Sequence, residues 1–103
     1  MNMGKRAHER AQIVAQGRFR NARGQGGQVS FSDISEQGCR FLDPSRLLNP
    51  GDKVTVWIQQ VGPFEAQVQW RERGEVGVKF NQALYGPVFD HLKTELAREN
   101  SRV

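Results

Sequence analysis

The chain has one cysteine, one tyrosine, two tryptophans and two histidines among its 103 residues, and no apolar run approaches membrane-spanning length. Each shortage excludes something. A lone Cys39 has no partner for an internal disulfide, which agrees with a reducing compartment. Without roughly 20 consecutive apolar residues no helix is expected to cross a bilayer, and the N-terminus lacks the apolar core of a secretion signal. A cytoplasmic location is therefore expected. His8, His91 and Cys39 are too few and too scattered to suggest a metal site, and a Cys–His nucleophile pair has no orienting third group in view. Neither catalysis nor a cofactor is expected. The length fits one domain with a modest core and is too short for a core plus a separate catalytic lobe. Hydrophobic residues at 37% and charged residues at 25% describe a soluble, folded chain.

Acidic residues are scarce at the front of the chain. Over residues 1–26, Glu9 stands alone against Lys5, Arg6, Arg10, Arg18, Arg20 and Arg23, so the net charge of +4 is concentrated there. Such an excess suits an anionic partner, or it is a solvated basic segment that serves solubility.

What the chain has in quantity is short-period alternation. Residues 1–10, MNMGKRAHER, show no amphipathic period and are expected to form a flexible arm. From Ala11 to Arg20, small or apolar residues fall mainly on odd positions, the pattern of a half-buried strand. The turn formers of NARGQGG, 21–27, then lead a hairpin into a second strand over Gln28–Asp33. A strand rather than a helix follows this glycine-rich loop, so it is not a phosphate-binding motif. Cys39 and Phe41 mark a third strand, closed by Asp43-Pro44. Asn49-Pro50-Gly51-Asp52 turns the chain into a fourth strand with Val54, Val56 and Ile58 on one face. Gly62-Pro63 is expected to turn it into a fifth, where Phe64, Ala66, Val68 and Trp70 alternate as a core set, and Arg73-Gly74 into a sixth with Val76, Val78 and Phe80. Six short antiparallel strands joined by tight turns predict a mainly β fold, a small barrel with few exposed edges. The period then changes. Leu84, Val88, Leu92 and Leu96 predict an amphipathic helix over about 84–98, with Tyr85 and Phe89 adjoining the stripe. The stripe packs on the barrel or, as the alternative, supports a weak homodimer instead of a monomer.

One hexapeptide interrupts the alternation. In Asp33-Ile34-Ser35-Glu36-Gln37-Gly38, strict alternation would carry Asp33 inward after Val29 and Phe31, and an uncompensated carboxylate in a core costs several kcal/mol. The strand is therefore expected to end or bulge there, with Asp33 at its rim. Asp33 and Ser35 would accept backbone N–H groups to build the turn, and Gly38 would supply a positive φ or a close approach. Arg6 and Arg10 form an Arg-x-x-x-Arg element just before the first strand. The same spacing at Arg98 and Arg102 is read as accidental. One hairpin separates Arg10 from Asp33, so both motifs can share one end of the barrel.

Taken with the Pro50-Gly51-Asp52 turn, the Ala66-x-Val68-x-Trp70 strand and Gly77-Val78-x-Phe80, this arrangement resembles the PilZ family of bacterial cyclic di-GMP receptors, over nearly the whole chain. Both signature motifs stand without departure, and the length suggests a stand-alone member. The resemblance implies a six-stranded barrel with a trailing helix and a ligand clasped between the arm and the barrel. It also implies the site residues Arg6, Arg10, Asp33, Ser35 and Gly38, with Lys5 adding charge. Arginine suits guanine and phosphate through its planar donor fork and stacking face, and an ionised Asp33 suits the N1–H and N2–H₂ edge of guanine. Ordering of the arm on binding, passed to an unidentified protein partner, would be the output. Two other readings are a barrel of the same family that binds protein without nucleotide, and a small basic barrel that binds RNA or single-stranded DNA. A row of exposed aromatics is missing for the last.

Overall fold

The computed structural model describes residues 10–100, with side chains over 15–94. Lys5 and Arg6 lie outside the described residues, as do the side chains of Arg10 and Leu96. Six strands and one helix follow in order: β1 Arg10–Asn21, β2 Gly26–Ser35, β3 Gly38–Leu42, β4 Lys53–Ile58, β5 Val61–Glu72, β6 Glu75–Phe80 and α1 Gly86–Asn100. Arg10, expected at the end of the arm, instead opens β1. The strands close into an antiparallel barrel in the order β1-β2-β3-β6-β5-β4. Closure rests on the length of β1. It pairs with β2 from Arg10↔Ser35 to Arg20↔Gly26 and with β4 from Gly17↔Ile58 to Asn21↔Val54, so both margins of the sheet meet on one strand.

The alternating residues fill the barrel. Phe31 and Phe41 lie 5.2 Å apart by ring centroid and Phe19 stacks on Phe41 at 5.9 Å, beside the buried Val54, Val56, Ile58 and Val76. Each such side chain contributes about 1.5–3 kcal/mol on leaving water. α1 packs against β1 and adds Phe89 and Leu92 to this core, with Val88 partly covered. Tyr85 is 74% exposed, because it precedes the first helical turn and points away from the packed face.

The tight turns obey local chemistry. The Asn21 side chain accepts the N–H groups of Arg23 and Gln25, and Arg73 and Gly74 both take positive φ in the two-residue β5–β6 turn. One expected turn falls elsewhere. Gly62-Pro63 lies inside β5, and the chain reverses earlier, at Gln59 with φ 57° and Gln60. A register shift between Val56 and Ile58 accommodates the proline, which has no N–H to give to a ladder.

The long connector after β3 is held by a buried ion pair. Asp43 is 0% exposed, and Arg71 Nη1 donates to its carboxylate at 3.0 Å and to the Leu48 carbonyl at 3.2 Å, while Nη2 donates to the Asp43 carbonyl at 2.7 Å. Ser45 adds its amide and its hydroxyl to the same carboxylate. Arg71 reaches this position because β5 carries a bulge. The register passes from Val68↔Val78 to Trp70↔Gly77, leaving Gln69 unpaired, so the residues beyond it exchange faces. Arg71 then shares the inner face with Val76, and Trp70 turns outward.

Candidate functional site

A second bulge re-aims the hexapeptide. Between β2 and β3 the register passes from Phe31↔Phe41 to Asp33↔Arg40, and Ser32 is the extra residue. Ile34 therefore takes the next core position, and Asp33 faces outward beside Arg40. The bulge was legible in the sequence, but the strand does not end at Asp33, since β2 continues to Ser35. Asp33 is also not at an open rim. It is only 3% exposed, covered on the outer barrel wall, with its carboxylate 3.2 Å from Arg40 Nη2.

Ser35 builds the turn that follows. Its hydroxyl oxygen accepts the N–H groups of Gln37 at 3.1 Å and Gly38 at 3.3 Å, as the Ser-x-x-Gly spacing predicts. The turn in turn anchors the lead into α1: the Gln37 carbonyl accepts from Phe80 N and the Glu36 carbonyl from Leu84 N. Gly38 does not need positive φ. A Cβ there would lie 2.0 Å from the Val78 carbonyl oxygen, so glycine permits the close β3–β6 approach of Gly38↔Lys79. Gly38→Ala is expected to cost about 1–3 kcal/mol through overpacking. A lower denaturant midpoint at unchanged slope measures it, and an unmoved midpoint would mean that the strands separate freely there.

Around this turn lies a hollow of about 160 Å³ whose wall includes Asp33, Ser35, Gly38, Arg40, Trp70 and Lys79. Trp70 was expected in the core. Instead it is 39% exposed, and its indole lies against Gly77, where a Cβ would come within 2.3 Å of the ring. A flat aromatic face is thereby held on the outer wall, next to a buried carboxylate. Sequence reading missed Trp70, Arg40, Gln69 and Lys79 as lining residues. Gly77 is the one local signal for Trp70, since a glycine amid buried valines marks a close approach. A further hollow of about 350 Å³ continues beyond Arg40 and Trp70, toward Arg73 and Glu75. Cys39 sits beneath the site with its thiol pKa pushed far up by burial and then by the Asp33 charge, so it stays a protonated, unreactive thiol.

The backbone brings Arg10 to this place as well, because it pairs with Ser35 in the β1–β2 ladder. Asp33, Ser35, Gly38 and the start of β1 thus share one region of the barrel. Ligand cavities for drug-sized molecules run to about 300–1,000 Å³, so the hollow at Asp33 takes one base-sized group and leaves the rest of a larger ligand on the surface. On the wall of β1 and β4, Arg18 lies 3.7 Å above the Trp57 ring and Arg20 at 5.2 Å, so Trp57 is covered by cations.

Comparison with known proteins agrees with this geometry. A family model described as PilZ domain matches residues 4–97. No curated protein matches. Among solved structures, the Bacillus subtilis inhibitor of motility MotI/DgrA aligns with a TM-score of 0.61 at 13% identity, over 97% of this chain and 54% of its own. This chain therefore spans about half of that protein. The PilZ domain of Escherichia coli YcgR with c-di-GMP aligns at 0.55 and 15% identity, over 94% of this chain and 95% of its own. At these identities the structural likeness concerns the fold.

Proposed function

The chain belongs to the PilZ domain family, and from that membership we propose that it is a cyclic di-GMP receptor whose occupancy changes its contacts with a protein partner. The observation that carries the reading is the pairing of a covered carboxylate, Asp33, with an exposed indole, Trp70, in one hollow beside the start of β1. Guanine offers N1–H and N2–H₂ donors to a carboxylate and a flat face to an indole. Arg6 and Arg10, with Lys5, meet the two phosphodiester charges and stack on exposed base faces, and Lys79 adds a cation at the barrel wall. Ser35 and Gly38 act through the shape of the turn. The protein is a binding module, and its output is closure of the segment ahead of β1 over the ligand.

Titration of labelled protein with cyclic di-GMP tests this. The Trp70 indole N–H and the amides of Gln37 and Gly38 are expected to shift, while the Trp57 indole N–H stays in place. Shifts confined to the Trp57 face, or none, would sink the assignment. Trp70→Ala is expected to weaken binding by about 1–3 kcal/mol, the range of one base–aromatic stack, as read by calorimetry. An unchanged isotherm would remove Trp70 from the site. The covered state of Trp57 argues against single-stranded nucleic acid as the natural ligand, because successive bases find no open aromatic there.

A further inference from the structure

We infer that Arg40 is an internal competitor for the ligand: it holds Asp33 in the free protein and is handed to Glu75 when a guanine edge takes its place. This rests on the receptor reading. Arg40 Nη2 lies 3.2 Å from the Asp33 carboxylate. Its Nε is buried and has no hydrogen-bond partner, an uncommon state for a buried donor. Glu75 Oε2 lies 3.9 Å from that Nε. Closing this gap by about 1 Å would make an ordinary hydrogen bond. Glu75 is already oriented for it, since the Ser32 hydroxyl lies 3.4 Å from the same oxygen.

Position makes the exchange possible. Arg40 borders both hollows, with Asp33 on one and Glu75 on the other. A turn of its side chain therefore clears the wall beside Asp33 without leaving the guanidinium unpaired. The free site keeps its buried carboxylate compensated, and the occupied site keeps the arginine compensated. A ligand with two donors aligned for one carboxylate gives Asp33 more than the Nη2 contact it loses. Guanine has that edge, and adenine, with its single exocyclic amine, does not. Arg40 thus sets a threshold that selects the base.

A double-mutant cycle on cyclic di-GMP affinity tests this. Arg40→Met is expected to tighten binding about fivefold, since a partly exposed ion pair of this kind no longer competes. Glu75→Gln is expected to weaken it about threefold, and to have no effect in the Arg40→Met background. Weaker binding by Arg40→Met would overturn the inference and make Arg40 a positioning residue for Asp33. An equal Glu75→Gln effect in both backgrounds would overturn it too. If Arg40→Met does not fold, Glu75→Gln alone decides, because unchanged affinity contradicts the handover. Wild-type binding with a wrong-signed Arg40→Met overturns this inference only, whereas no binding by any of the four proteins overturns the receptor reading with it.

Discussion

Asp43→Ala is expected to lower stability by about 3–5 kcal/mol, the cost of removing one partner from a buried ion pair. For a domain of this size that is on the order of 20 °C in Tm. The magnitude follows from what is left behind. Arg71 would keep a guanidinium turned to the inner face with the Leu48 carbonyl and the residue-43 backbone carbonyl as its remaining acceptors among the described residues, and Ser45 would lose the carboxylate that takes its amide and hydroxyl. The connector that seats the fully buried Leu48 would loosen as well. Adding Arg71→Met to Asp43→Ala should recover part of the loss, because the orphaned charge goes with it. Thermal unfolding of the two variants reads the difference. A single variant within a few degrees of wild type would show that the pair is not an anchor.

The joint substitution Arg6→Ala and Arg10→Ala is expected to weaken cyclic di-GMP binding more than about a hundredfold, since each charge-assisted contact to phosphate or base contributes roughly 1.5–3 kcal/mol. The folded state should be little affected. Arg10 pairs with Ser35 through its backbone, which alanine preserves, so Tm is expected to stay near that of wild type. Loss of affinity at constant Tm places the effect on the ligand. An isotherm indistinguishable from wild type would remove both arginines from the site and leave the barrel wall alone to account for any binding.

The architecture was legible because most strands keep a strict period of two and most turns carry a residue suited to them, the exception being the β4–β5 reversal, which falls at Gln59-Gln60 and not at Gly62-Pro63. Val54, Val56 and Ile58, or Arg73-Gly74, admit few other readings. What escaped was parity. A bulge inserts one residue and inverts every side chain beyond it, and no single residue type announces where it falls. In β2 the carboxylate gave the clue, since Asp33 following Val29 and Phe31 inward was physically untenable. In β5 nothing comparable flagged Gln69, so Trp70 read as core, and that assignment inverted while Arg71 took the inner face. The site was legible to the same degree. Asp33, Ser35 and Gly38 were expected there from family resemblance; in the structure they line one hollow, with Ser35 building the turn and Gly38 permitting the strand approach. The other lining residues come from β3, β5 and β6. Strand order alone brings these together, and sequence proximity does not report it.

Calorimetric titration of the purified protein with cyclic di-GMP, beside a GMP control, tests the central claim most directly. Receptor function predicts saturable binding at micromolar concentration or tighter, about −8 kcal/mol or better, with GMP giving no comparable heat. No heat, together with no ligand-induced rise in Tm, would contradict it and identify this barrel as a protein-binding module that works without the nucleotide.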